Sequence, residues 1–347
     1  MKKYISLVLA VMLMIVCLSA CGNGKEAASG GSDKIQIVTT IFPEYDWVKN
    51  VLGENPAGAE VTMLLDNGVD LHSYQPTAED IMKISTCDLF IYVGGESDEW
   101  VEDALKEVTN KDIIVINLMD VLGDAVKEEE VVEGMQEEEH EHGDEDHEHS
   151  DGDHEEGEHE DEEHYEEEVE FDEHVWLSLR NSSVLVQSVS DALCKIDPAN
   201  ADMYKNNASA YRDKLNELDS KYQAAVSKAS VNTLLFGDRF PFRYLVDDYG
   251  LSYYAAFVGC SAETEASFET ITFLAQKVDD LGLHSVLTIE GTDHRIAETI
   301  VENTTEKNQQ ILTMDSMQST TSKDVAAGAD YLSIMEKDLE VLTEALK

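Results

Sequence analysis

The sequence predicts an α/β protein of two lobes, each built on a mainly parallel sheet, the two joined by one long helix. Three observations carry that reading. Short apolar runs alternate with amphipathic stretches through the first half of the chain, and the same rhythm returns after residue 231. Between the halves lies one long periodic segment with neither Gly nor Pro.

In the first lobe the strand candidates are residues 35–39, 61–65, 89–93 and 113–116, short runs bounded by polar or turn-forming residues. Helix-like segments fall at 45–52, 78–85 and 98–108, the last opened by the capping-type residues Ser97 and Asp98. The second lobe repeats this with strands at 233–236, 253–257, 285–289 and 311–314. Its helices fall near 268–281, 295–304 and 324–346. Parallel strands need a crossover between them, and a helix after each strand supplies it. In the connecting segment Tyr204, Ala208, Tyr211, Leu215, Leu218, Tyr222 and Ala225 step by four and three, so they share one helix face. At 1.5 Å per residue, 199–229 makes a rod of roughly 45 Å, a spine that limits how far the lobes can close.

The expected divisions follow: a signal at 1–20, a tether at 21–33, a first lobe at 34–197, a linking helix at 198–230 and a second lobe at 231–347. A disordered acidic loop at 128–170 interrupts the first lobe. Lys2 and Lys3 precede an apolar stretch at 5–16 that is too short to span a bilayer comfortably. Leu18-Ser19-Ala20-Cys21 resembles a bacterial lipobox, which implies cleavage before Cys21 and its acylation, palmitate included. At about 0.8 kcal/mol per buried methylene, two or three acyl chains hold firmly. The Gly/Ser-rich residues 22–33 would then tether a body to the outer face of the bacterial cell membrane.

Charge bounds the partners. The formal net charge is −49, and residues 127–170 hold 25 carboxylates against one lysine, a net of −24. Such a surface repels nucleic acid and anionic headgroups and attracts cations. A like-charged run by itself reads as solvated and disordered. That leaves His140, His142, His147, His149, His154, His159 and His164 unexplained. Imidazole is the commonest side-chain metal ligand, so the tract points to a transition metal.

Once Cys17 has left with the signal and Cys21 has taken lipid, Cys87, Cys194 and Cys260 remain. No two have metal-ligand spacing, so they read as small buried hydrophobes with at most one disulfide among them. The site candidates are His72 in Asp70-Leu71-His72-Ser73-Tyr74-Gln75-Pro76-Thr77, His174 beyond the tract, and Asp315 after a strand. Ligands in α/β lobes gather at the carboxyl ends of strands. Imidazole with carboxylate suits zinc, and also manganese or iron. His284 and His294 read as solvated.

A secreted zinc hydrolase is the alternative from another class, with Glu290 as its base. It lacks a His-Glu-x-x-His helix and a Gly-x-Ser-x-Gly elbow, so no enzyme is expected. A surface metal buffer or adhesin without a transport role is the third reading.

Several ordered motifs resemble those of the ZnuA/TroA-like family of zinc and manganese solute-binding proteins of ABC transporters. They are Val38-Thr39-Thr40-Ile41-Phe42-Pro43, the stretch from Gly68 to Thr77, Cys87-Asp88-Leu89-Phe90 followed by Gly94, Asp98 and Trp100, Asp172-Glu173-His174-Val175-Trp176-Leu177, and Ser261-Ala262-Glu263-Thr264-Glu265-Ala266-Ser267. The resemblance implies a metal held in the cleft between two lobes by two ligands from each, with His72, His174 and Asp315 on three of those positions. It also implies Zn²⁺ as cargo, with Mn²⁺ as the second candidate, an ABC permease as partner, and a monomer. The acidic His-rich loop resembles that of the zinc-specific members.

One departure concerns the remaining position. Counting ten residues back from Tyr249 lands on Arg239, where the family carries His or Glu. A guanidinium has no lone pair to donate. Asp238, Glu290 or a water would complete the shell, with Arg239 orienting a ligating carboxylate.

Overall fold

The four apolar runs of the first lobe pair side by side as one sheet. In the computed structural model, which describes residues 34–136, 170–261, 265–291 and 293–347, they form β1 (Gln36–Thr39), β2 (Glu60–Met63), β3 (Leu89–Tyr92) and β4 (Ile114–Asn117). The order is β2-β1-β3-β4 and every pair is parallel. The crossovers are α1 (Phe42–Leu52), α2 (Ala78–Thr86) and α3 (Trp100–Lys106), and α4 (Leu118–Leu122) follows β4. Local chemistry starts the helices where it should. Pro43 sits in the first turn of α1, where no N–H is needed, and Glu44 turns back to accept Thr40 N at 2.8 Å. At α2 Thr77 and Asp80 cap each other's backbone.

Two helices follow where the sequence suggested one. α5 (Leu179–Ile196) had gone unnoticed because serines dilute its apolar stripe of Leu185, Val186, Val189, Ala192 and Leu193. Ser182 and Ser190 are nonetheless fully buried in it. α6 (Ala201–Val226) is the expected spine, shortened to 26 residues, or about 39 Å. A turn at Pro198–Asn200 reverses the chain. Arg212 then reaches back to Ser183 Oγ (3.1 Å) and Gln187 Oε1 (2.7 Å), so α5 and α6 run antiparallel.

The second lobe holds β5 (Thr233–Phe240), α7 (Arg243–Tyr249), β6 (Ser252–Val258), α8 (Phe268–Leu281), β7 (Ser285–Ile289), α9 (Arg295–Asn303) and β8 (Gln310–Met314). Its sheet order, β6-β5-β7-β8, repeats the first, again all parallel. β5 outruns its expected end through an irregularity between Phe236 and Arg239. The last helix is split into α10 (Ser322–Ala326) and α11 (Tyr331–Ala345). Gly328 (φ 103°) breaks it and Asp330 caps the restart by accepting Ser333 N at 3.0 Å.

α6 touches both lobes. Near its start Asn207 donates to Val51 O (3.0 Å) and Tyr211 to Asp46 (3.0 Å). Near its end Tyr222 donates to Met335 O (2.6 Å) and Asp219 accepts Tyr249 (3.1 Å). Leu215, fully buried between these anchors, should lose about 2–5 kcal/mol of stability on truncation to alanine. Urea unfolding of Leu215→Ala measures it, and a cost below about 1 kcal/mol would mean the spine is loosely packed there.

The acidic loop needs a correction at its edges. Residues 128–136 and 170 are ordered: Glu128 bridges Phe171, Glu129 N donates to Glu170 O (2.9 Å), and Gln136 N donates to Ala256 O (3.0 Å). Met135 is buried. This stem leaves the first lobe and lies on the second, where Arg243–Glu130 (3.3 Å) and Lys277–Glu133 (3.1 Å) offset its charge and Lys127 pairs with Asp247 (2.7 Å). The seven tract histidines, Cys21 and the signal lie outside the described residues. Cys87, Cys194 and Cys260 are free thiols. Among the described residues no helix is long and apolar enough to cross a membrane.

Candidate metal centre

The loop after β2 carries His72 into a short turn, Leu71–Ser73. Leu71 is fully buried and Asp70 caps the turn by accepting His72 N at 3.1 Å. The His72 Nδ1 lies 2.8 Å from Ser97 Oγ, on the turn after β3, which leaves Nε2 pointing inward. His174 opens the turn Val175–Leu177, three residues with no exposed surface. Asp172 Oδ1 receives His174 N (2.8 Å) and sits 3.1 Å from Nδ1. Trp176 anchors this segment to the second lobe by donating to Ser316 O at 2.9 Å.

The consequence is a pair of imidazoles meeting edge to edge through their Nε2 atoms, the rings tilted at 56°. His72 Nε2 and His174 Nε2 are 3.2 Å apart, and each ring's Nδ1 is held by another group. A carboxylate or hydroxyl on Nδ1 fixes the tautomer that frees Nε2 for a metal. Two lone pairs at that distance want a cation or a proton between them. Burial, then the nearby charge of His174, pushes the His72 pKa down to about 3. Burial opposes charge on His174 as well and is the largest single influence, but Asp172 and Glu173 together outweigh it and hold that ring above the usual histidine range.

Between Asp172 and His174 stands Glu173, only 2% exposed. Glu173 Oε1 accepts Ser97 N at 2.8 Å, while its buried Oε2 has no hydrogen-bond partner and lies 3.5 Å from His72 Nδ1. Gly95 makes room for this side chain: a Cβ there would come within 2.4 Å of Oε1. A cavity of about 250 Å³ opens here, lined by residues that include His72, Glu96, Glu129, Glu173 and Cys260.

Of the second-lobe residues singled out from sequence, none joins the two histidines at ligand distance. Among the described residues the group whose ligand atoms all lie within 4.8 Å of one another is His72, His174 and Cys260. Asp238 has Oδ1 on Arg239 N (2.9 Å) and Oδ2 on Ile289 N (3.2 Å). Glu290 accepts Ser316 N (2.7 Å), Ser316 Oγ (2.8 Å) and Gln318 N (3.3 Å); burial, then Asp315, pushes it up to about 7. Asp315 accepts Met317 N (2.9 Å) and donates its own N–H to buried Asp338 (2.9 Å). Arg239 pairs with Asp70 across the cleft and donates to Ser261 O (3.3 Å). His284 is exposed and His294 half-buried.

Cys260 is the member of this group that the sequence reading does not single out. It had been read as an inert hydrophobe, yet its loop lies on His174: a Cβ at Gly259 would meet the ring at 3.0 Å. The one available signal was its place just beyond β6, at a strand's carboxyl end. Burial, then Glu129 and its acidic neighbours, raises the thiol pKa well above the usual range.

Residues 37–345 match the family described as zinc-uptake complex component A, periplasmic. The chain belongs to this family. Among curated relatives, the zinc-binding protein AdcA of Streptococcus pyogenes is 30% identical over 99% of this chain, which spans 61% of that protein's length. The high-affinity zinc uptake system protein ZnuA of Bacillus subtilis is 28% identical, over 99% of this chain and 98% of that one. The Zn(II)-bound ZnuA-like domain of Streptococcus pneumoniae AdcA superposes with a TM-score of 0.65 at 27% identity, covering 90% of this chain and 99% of that domain. The two parallel-sheet lobes and long helix are therefore the family's architecture.

Proposed function

We propose that this family member captures Zn²⁺ outside the cytoplasm and hands it to an ABC permease. The observation that carries the reading is the buried His72–His174 pair, with Nε2 atoms 3.2 Å apart and both Nδ1 atoms engaged. The zinc-uptake description of the family and the zinc-binding names of its relatives support the same cargo. His72 and His174 bind the ion, and the Asp172 carboxylate and Ser97 hydroxyl orient them. The cleft residues Glu129 and Glu173 supply negative charge toward the cation. Acylation at Cys21 keeps the monomer at the outer face of the membrane, near its permease. The tract histidines act as a low-affinity collector.

Metal analysis with competitive zinc titration on the soluble protein starting after Cys21 tests this. Deleting residues 137–169, which spares the docked stem and Glu129, should lower the zinc stoichiometry and leave one tight site. Loss of the tight site with the tract would place binding on the tract and overturn the reading. Tight manganese with weak zinc would change the cargo.

A further inference from the structure

The geometry points to Cys260 as the third protein ligand of the zinc site, making it a His72–His174–Cys260 centre. This rests on the zinc-capture reading and goes beyond it in naming the donor set. The three donor atoms already lie within 4.8 Å of one another. Ligands around a tetrahedral zinc stand roughly 3.3–3.8 Å apart, given Zn–N near 2.0–2.1 Å and Zn–S near 2.3 Å. The two imidazole nitrogens already stand 3.2 Å apart, and the thiol lies within 4.8 Å of both.

Three independent features fit the assignment. Gly259, immediately before the cysteine, is the residue that lets this backbone lie on the His174 ring, since a Cβ would sit 2.9 Å from Phe240 O and 3.0 Å from the ring. Glu173, only 2% exposed, lines the same cavity as Cys260 and keeps an unpartnered Oε2 3.5 Å from His72 Nδ1. A buried carboxylate beside that ring favours a cation on its free Nε2. Arg239, standing where the family has a ligand, instead ties the two ligand loops together. Its guanidinium bonds Ser261 O, next to Cys260, and the Asp70 carboxylate that caps the His72 turn. Arg239 is thus a positioning residue and Cys260 the donor.

On binding, a Zn–S bond forms as the S–H bond breaks; the electron pair stays on sulfur and the proton leaves to solvent. No oxidant is involved. A thiolate also favours Zn²⁺ over the harder Mn²⁺, which would set this chain's preference without a carboxylate from the second lobe.

The test loads the soluble protein with Co²⁺ in place of zinc and records the near-ultraviolet spectrum. A sulfur-to-cobalt charge-transfer band is expected, absent in Cys260→Ser and unchanged in Cys87→Ala and Cys194→Ala. Tract histidines cannot give this band. Zinc affinity of Cys260→Ser should fall by on the order of 100-fold, with an unfolding midpoint for the metal-free variant close to the parent's. One tight zinc without a charge-transfer band, or a band that survives in Cys260→Ser, overturns Cys260 as ligand and leaves zinc capture standing. No tight zinc in the parent protein overturns both.

Discussion

Replacing His174 by alanine is expected to weaken zinc binding by on the order of 100- to 1,000-fold. Zinc sites closed by four ligands bind with roughly 10–16 kcal/mol, so one ligand carries about 3–4 kcal/mol, and each 1.4 kcal/mol is tenfold. His174 has no exposed surface and donates through the one nitrogen that Asp172 leaves free. Its removal takes the ring from Asp172, which keeps the backbone N–H of residue 174. Competition against a chelator of known affinity reads the change. His72→Ala should behave alike, and a loss below tenfold for either would remove these rings from the site. The same ring gives the pH sense. Asp172 and Glu173 together outweigh burial and keep His174 above the usual histidine range, so zinc must displace a proton. Affinity should fall as pH drops from 8 to 6, and an affinity flat over that span would contradict the assignment.

The second large effect is on the metal-free fold, which should be more stable at pH 5 than at pH 8. Burial is the leading cause in each of several carboxyls. It pushes Asp46 up to about 6 and, with added charge from neighbouring carboxylates, Asp98, Glu129 and Glu290 up to about 7. In the unfolded chain these groups ionise near pH 4. Between about pH 4 and 7 the folded state holds more protons, so stability falls as pH rises through that window, and above it the full penalty is in place. Between pH 5 and 8 each group contributes on the order of 1–3 kcal/mol. His72 pulls the other way, with its pKa held near 3, but it is one group against four. Thermal unfolding in chelator at pH 5 and pH 8 measures the difference. Asp98→Asn, which keeps the shape that receives Val93 N and Gly94 N, should reduce it. Stability that climbs steadily from pH 5 to 8 without metal would show that these carboxyls are not buried as described.

Much of this molecule was legible in advance because its signals are local. The eight strands of the described residues sit within a few residues of the apolar runs that announced them, and α6 follows the stepping of Tyr204, Tyr211, Leu215 and Tyr222. α5 escaped because its buried face includes Ser182, Ser183 and Ser190, whose polarity hides the period even though a helix can bury a hydroxyl bonded to its own backbone, as Ser182 is to Ser178 O (2.8 Å). The acidic stem was misjudged for the opposite reason. Its charges look solvated until Arg243 and Lys277 are brought against Glu130 and Glu133, and Lys127 beside them is paired with Asp247.

The sequence by itself determined the two lobes, the spine, and the two histidines that meet in the cleft. Each is written in a periodicity or a motif a few residues long. Only the tertiary structure decided what stands around those histidines. His72 and His174 are 102 residues apart and Cys260 lies 86 beyond. No spacing rule links such positions, because a ligand shell depends on distances of a few ångströms set by how two sheets are held by one helical pair. That packing turned Asp238 onto backbone amides, drew Arg239 to Asp70, and laid the Gly259–Cys260 turn on the ring of His174.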